Sequence, residues 1–197
     1  MSPDRETIAF YDGNAATYAD ASWSQDLTFL LDPFCARLKP GCRVLDLGSG
    51  AGRDTEALSR RGFACIALDA SAGLLGAHRA RGGRLLVQGA FEHLPFRPRS
   101  FGGVWACASL LHAPAARLTG ILNDISLLLS SEGILAVSLK AGSGESRDAE
   151  GRRWTFFDTA GARRALETAG FRLLEELHNA DAAGRPVEWI SFLATPG

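Results

Sequence analysis

The stretch "VLDLGSGAGRD", Val44 to Asp54, sets Asp46 two residues ahead of a turn with glycine at 48, 50 and 52. Glycine lets the backbone take positive φ and approach a ligand closely. The helix behind such a turn offers unpaired N–H groups and the positive end of its dipole. Several nucleotide cofactors use a turn of this kind, so the flanking residues decide among them. The third glycine of a dinucleotide-binding G-x-G-x-x-G falls on Arg53, and Asp46 would repel a pyrophosphate. A carboxylate there suits a ligand that carries positive charge. S-adenosylmethionine has an ammonium and a sulfonium and needs no phosphate cradle. Asp69, closing "ALDAS", is placed to accept from ribose hydroxyls; the alternative is a cap on a helix beginning near Ser71.

These residues need a frame. "RVLDL" (43–47), "ACIAL" (64–68) and "RLLVQ" (84–88) are short and nearly apolar throughout, as strands buried on both faces are. Helix-like segments closed by glycine separate them. "GGVWACASL" (102–110), a helix from about Pro114 to Leu129 and "GILAVSLK" (133–140) continue the alternation. The pattern is βαβ, hence a parallel sheet covered on both faces. The end differs. After a helix near Thr159–Ala169, "FRLLEELH" (171–178) and "VEWISFLA" (187–194) are joined by "NADAAGRP", too short for a helix, so the last two strands form an antiparallel hairpin. The N-terminal 40 residues read as two helices, and the polar segment 141–156, with Gly142, Gly144 and Gly151, as a mobile lid. The expected organisation is one domain over 1–197, a helical lid (1–40) on a core (41–197).

Ligands on such sheets sit at the carboxyl ends of the strands. His112, in "SLLHAP" after the fourth strand, falls there. It is the candidate general base, or else a cap and pocket wall. Arg53 and Asp54 are set to pair with each other, and can hold the N-terminal lid against the turn. Lys140 precedes the polar segment and Arg152 lies within it, and both would pair with an anionic acceptor, whereas Arg147 and Arg153 read as solvated.

The 197 residues carry a formal net charge of −1, and only Lys39 and Lys140 are lysine. Near-neutral charge argues against nucleic acid or an anionic membrane. No apolar run is long enough for a bilayer, and "MSPDRETIAFYDGN" is not a signal peptide. Cys35, Cys42, Cys65 and Cys107 and the four histidines show no metal-ligand spacing. Reduced thiols in a cytoplasmic protein without a bound metal are expected. Oligomeric state is left open.

At this point the chain resembles the class I S-adenosylmethionine-dependent methyltransferases, through "VLDLGSGAGRDT", "ALDAS", "EHLPFRPRSFGGVWACASLLHAP", "LSSEGILAVSLK" and "FFDTAGARRALETAGF". "GRDT" and "SLLHAP" resemble the small bacterial group labelled tellurite-resistance-type. The resemblance implies a Rossmann-like three-layer α/β sandwich, with a seven-stranded, mostly parallel sheet and an antiparallel C-terminal strand. It implies S-adenosyl-L-methionine as cofactor and a small-molecule acceptor. The cofactor-binding residues are then Tyr18, Asp46, Gly48, Ser49, Gly50, Asp69, Ala70, Ala90, Phe91 and Cys107. Ala90 stands where the family often has an acidic residue for the adenine amine, and Phe91 is left to stack or pack on the ring. Gly102 replaces the family's aspartate and reads as structural. Tyr11 and Tyr18 match an N-terminal pattern that lies over the cofactor, where aromatic faces suit a sulfonium. Tyr11, Lys140 and Arg152 form the expected acceptor site, with His112 as the catalytic residue. The alternatives are a tRNA-modifying methyltransferase, for its "VEWISFL"-like C-terminal strand, and a non-catalytic partner protein that keeps the fold.

Overall fold

The computed structural model describes residues 3–181 and 184–197. Its strands are β1 (Arg43–Leu47), β2 (Ala64–Asp69), β3 (Leu86–Gln88), β4 (Phe101–Cys107), β5 (Leu129–Ala141), β6 (Gly144–Arg147), β7 (Arg153–Phe157), β8 (Phe171–Ala180) and β9 (Glu188–Pro196). The helices are α1 (Arg5–Gly13), α2 (Ala15–Trp23), α3 (Thr28–Ala36), α4 (Arg53–Arg60), α5 (Ala72–Ala80), α6 (Leu118–Leu128) and α7 (Thr159–Thr168). Strands β3-β2-β1-β4-β5 pair in parallel, β9 runs antiparallel to β5, and β8 closes that edge antiparallel to β9.

Both faces of the sheet are buried, as the unbroken apolar runs require. Leu45, Val104, Ala106, Leu135 and Val137 pack on one face, where Ile121 and Ile125 of α6 and Ala162 and Leu166 of α7 meet them. Their neighbours Val44, Trp105 and Ala136 point to the other face, with Leu30 and Phe34 of α3 and Leu58 of α4. The strand period of two therefore sorts one run into two cores. Each fully buried leucine contributes about 1.5–3 kcal/mol.

The structure departs from the sequence expectation in three places. Among the described residues the sheet has nine strands rather than seven. The two extra strands, β6 and β7, come from the polar segment expected to be a lid. It folds as an antiparallel hairpin, and β7 adds to the end of β5 at Lys140 and Ala141. The N-terminal region holds three helices rather than two. Gly13 and Asn14 break the first helical run into α1 and α2, and Asn14 supplies the N–H that closes α1 on Phe10. α3 buries Leu30, Leu31 and Phe34 in the core. Gly102 packs against Cys42, whose Sγ stands 2.8 Å from where a Cβ would lie, so its role is close packing.

Candidate active site

β1 stops at Gly48 because the chain turns there through left-handed φ: +78° at Gly48, +54° at Gly50 and +90° at Gly52. A Cβ on Gly48 would stand 2.3 Å from that of Ser109, so the turn lies hard against the segment after β4. Gly48 and Ser49 both donate to the Leu68 carbonyl, at 2.8 and 3.0 Å, which ties the turn to β2. Asp69, at the end of β2, accepts from the Gly50 N–H with one oxygen and the Ser71 N–H with the other, each at 2.8 Å. Burial pushes its pKa up, against those two donors. Asp69 thus braces the turn and Ser71, whose own side chain caps α5 by accepting from the Leu74 N–H, and it also lines a cleft.

That cleft encloses about 700 Å³, its open mouth included, between the turn, the ends of β2 and β3, and the underside of α1. Tyr11, Tyr18, Gly48, Gly50, Asp69 and Ala70 line it, as do Ala90, Phe91 and His112. The size is that of a small-molecule site. Its walls fit S-adenosylmethionine: a carboxylate for hydroxyls, apolar Leu68, Leu74 and Phe91 for a planar base, and aromatic faces overhead. Asp46 and Ser49 do not line the cleft. Asp46 lies beneath the turn, 2 % exposed, and accepts from the Thr55 hydroxyl at 2.5 Å. Burial, with the Asp54 charge adding to it, pushes its pKa up to about 8. Ser49 is buried and its Oγ makes no hydrogen bond among the described residues.

A second cavity of about 760 Å³, again with its mouth, opens on the far side of the same wall. Tyr11, Tyr18, Ala108 and His112 border both spaces. Lys140, Arg152 and Cys107 face the second one. Cys107 therefore lines the second cavity and not the cleft; it is half-buried, its Sγ is 3.2 Å from Ser138 Oγ, and burial pushes the thiol up to about 12. Lys140 is 8 % exposed, with Nζ 3.3 Å from the centre of the Trp154 ring. Burial, aided by Arg185 and Arg152, lowers its pKa to about 8.

His112 does not cap the helix after it. Its Nδ1 lies 2.7 Å from the Arg153 carbonyl, which only accepts, so Nδ1 carries the proton. Nε2, 2.9 Å from Tyr11 Oη, then accepts from the tyrosine hydroxyl. Burial holds the imidazole neutral, with its pKa pushed down to about 4. The neighbouring Trp154 ring is 4.8 Å away, centre to centre.

The N-terminal cover is fastened at several points. Asp12 accepts from Ser71 Oγ at 2.7 Å and from the Gly73 N–H at 2.9 Å. Asp4 pairs with Arg147 and Arg153, and Thr7 Oγ1 accepts from the Arg153 N–H at 2.9 Å. Arg53 pairs with Asp54 and donates to the Ser22 carbonyl and to Gln25. The expected clasp between turn and cover is present, and Arg147 and Arg153, read as solvated, belong to a second one.

Sequence reasoning missed Ala108, Ser109, Asn179, Asp181, Arg185 and Trp189. Ala108 adopts φ +53°, held by its N–H to Ser138 Oγ at 2.9 Å. An alanine at positive φ is a rare, strained choice, and "ACASLL" gives no sign of it. The β8–β9 residues reach the cavity only because that hairpin folds back beside β5, a pairing no local pattern announces.

Residues 45–137 match the family described as methyltransferase domain. The match spans the glycine turn, Asp69, Ala90, Phe91 and His112. Sterol 24-C-methyltransferase ERG6B of Gibberella zeae is 30% identical over 175 residues, covering 77% of this chain and 46% of that protein. The chain spans about half the length of the curated relatives it matches. Among solved structures, 1,6-didemethyltoxoflavin-N1-methyltransferase of Burkholderia thailandensis, with bound 1,6-didemethyltoxoflavin and S-adenosylhomocysteine, superposes with a TM-score of 0.76 at 19% identity, covering 100% of this chain and 91% of that one. The [4+2]-cyclase SpnF superposes with a TM-score of 0.77 at 18% identity, covering 100% and 97%. The fold is thus the Rossmann-like methyltransferase fold, and a cyclase also uses it, so the reaction has to be argued from the site. No helix among the described residues is long and apolar enough to cross a membrane.

Proposed function

We propose that this protein transfers a methyl group from S-adenosylmethionine to a small-molecule acceptor. The observation that carries the reading is the shared wall: one cleft with Asp69 and the glycine turn, one cavity with Lys140 and two indoles, and Tyr11, Tyr18, Ala108 and His112 between them. In-line transfer needs donor and acceptor held on either side of such a seam with water kept out. The sterol methyltransferase and the toxoflavin methyltransferase both act on small molecules by name, which agrees with an acceptor of that size. The "GRDT" and "SLLHAP" motifs support the tellurite-resistance-type subgroup. The four free cysteines accord with a reducing, cytoplasmic setting.

When bound, S-adenosylmethionine supplies an electrophilic methyl group on a sulfonium that leaves as a neutral thioether. Asp69 would hold the ribose hydroxyls, Gly48 and Gly50 would let the backbone close on the ligand, and Phe91 and Leu68 would flank the adenine. Ala90 leaves the adenine amine to backbone or water. Asp46 acts from beneath, by holding Thr55 of α4 against the end of β1. Tyr11 and Tyr18 turn aromatic edges and faces to the seam, where a sulfonium is favoured over water. His112 is the residue of the pair that fixes Tyr11: with Nδ1–H spent on Arg153 and Nε2 spent on the tyrosine, it aims the phenol oxygen at the seam. As a base it is weak at neutral pH, because burial lowers its affinity for a proton. Positioning is the larger role.

The test is ligand-induced stabilisation. S-adenosylmethionine or S-adenosylhomocysteine at about 100 times its Kd adds about 2.7 kcal/mol, a rise in Tm of roughly 5–10 °C for a domain of this size, and NAD adds nothing. A rise with NAD and none with the adenosyl ligands overturns the reading.

A further inference from the structure

The second cavity has an uneven distribution of charge. Four cations line it. Arg53 is paired with Asp54 at 2.6 Å, Arg185 with Asp181 at 2.7 Å, and Arg152 with Asp148 at 2.8 Å and with Glu150. Among the described residues Lys140 makes no ion pair; its ammonium rests on the face of Trp154 and lies 6.0 Å from the centre of the Trp189 ring. Three guanidiniums are therefore already satisfied, and one buried amine is held only by π-faces.

Both indoles are fixed. Trp154 Nε1 donates to Asp148 at 2.8 Å, and Trp189 Nε1 donates to Asp181 at 2.9 Å. The carboxylates that neutralise Arg152 and Arg185 thus also hold the rings beside Lys140. Tyr11, pinned by His112, adds a third ring toward the seam. Flat walls held in advance by hydrogen bonds favour a flat ligand at low entropic cost. Ser191 Oγ, wholly buried in the same wall, makes no hydrogen bond among the described residues and is free to donate.

Resting on the methyl-transfer reading, we infer that the second cavity takes a planar, conjugated acceptor bound as a monoanion, a phenolate or enolate, with its charge against Lys140 and its ring among Trp154, Trp189 and Tyr11. A second, independent reason points the same way. The one imidazole on the wall has its lone pair occupied by Tyr11 and is a poor base. An acceptor that arrives ionised needs no base at the seam. A conjugated hydroxyl spreads its charge over the ring, so Lys140 stabilises it from one edge while another edge reaches the seam. A single free amine matches a single negative charge; a second one would have only paired arginines to meet.

The probe is 4-nitrophenol, whose phenolate absorbs at longer wavelength than the phenol. It is titrated into the whole protein saturated with S-adenosylhomocysteine, at a pH below that at which it ionises in water. The phenolate band is expected to appear on binding, and nitrobenzene and phenyltrimethylammonium are expected to bind at least about 10-fold more weakly. Lys140→Met should remove the band and the preference, and Lys140→Arg should restore part of both. 4-Nitrobenzoate binding equally well, with the same dependence on Lys140, would overturn the phenolate or enolate class in favour of a carboxylate. Overturning results also include tighter binding of the neutral or cationic probe, no saturable binding of 4-nitrophenol, or a band unchanged in Lys140→Met. Binding of S-adenosylhomocysteine is measured first in the same sample. If that ligand binds and 4-nitrophenol does not, only the acceptor inference fails; if it does not bind, the methyl-transfer reading fails with it.

Discussion

The proposed cofactor cleft and the proposed acceptor cavity share a wall but are built in different ways. The cleft has a backbone floor, a turn at positive φ with the ends of β2 and β3 and one carboxylate bonded to two N–H groups, under side chains from α1 and α2. The cavity is side chains, brought from β5, β7, the β8–β9 hairpin and the stretch after α2, and fixed to one another by indole–carboxylate and arginine–carboxylate contacts. A backbone site accepts only one local sequence, so it serves one ligand. A side-chain site is rebuilt by single substitutions, which is how one fold supports acceptors of many kinds.

If that contrast holds, the same change should cost more in the cleft than beside the cavity. Gly48→Ala places a Cβ against Ser109 at a φ that alanine disfavours, and is expected to destabilise by about 2–4 kcal/mol in urea unfolding. Gly144→Ala, in the hairpin beside the cavity at φ +84° with open space around it, should cost only about 1 kcal/mol. Equal losses would break the comparison. Next in size, Asp69→Asn should weaken S-adenosylhomocysteine binding about 10-fold, while Lys140→Met, outside the cleft, leaves that affinity within about 2-fold, both read by calorimetry.

The seam itself gives two smaller effects. The Tyr11 hydroxyl donates to the neutral form of His112, so Tyr11→Phe should raise the imidazole pKa, by about half a unit to one unit in an NMR titration. An unchanged value would mean that the hydrogen bond is absent in solution. His112 is held neutral with its pKa below the ordinary 6.5, so the unfolded chain binds the extra proton between about pH 6.5 and 4. Its contribution is present above 6.5 and lost as the pH falls toward 4. Asp46, pushed up to about 8, acts in the opposite sense across the whole of that window. The wild-type Tm should therefore be compared with that of His112→Gln, and the difference between them should shrink as the pH falls through this window.

The same contrast explains what the sequence made legible. The glycine turn, Asp69 and the alternation of apolar runs are local signals, and they placed the parallel sheet, its C-terminal hairpin and most of the cleft. Asp46 was read from its spacing as a ligand contact, but a strand residue two before the turn points into the core, where Thr55 meets it. The polar segment after β5 looked mobile because its glycines and charges say nothing of the partner that orders it. Asp4 and Thr7, far away at the start of α1, pair with Arg147 and Arg153 and dock the hairpin. Trp189, Asp181 and Arg185 were invisible as site residues because only the register of β9 on β5, with Trp189 opposite Lys140, brings them there.

A crystal structure of the complex with S-adenosylhomocysteine tests the central claim most directly, that two spaces meet at one reactive wall. The account expects the ribose on Asp69, the adenine beside Phe91, and the thioether sulfur turned to the seam formed by Tyr11, Tyr18, Ala108 and His112, facing the cavity that holds Lys140. A ligand bound elsewhere, or a sulfur directed away from that seam, would contradict it.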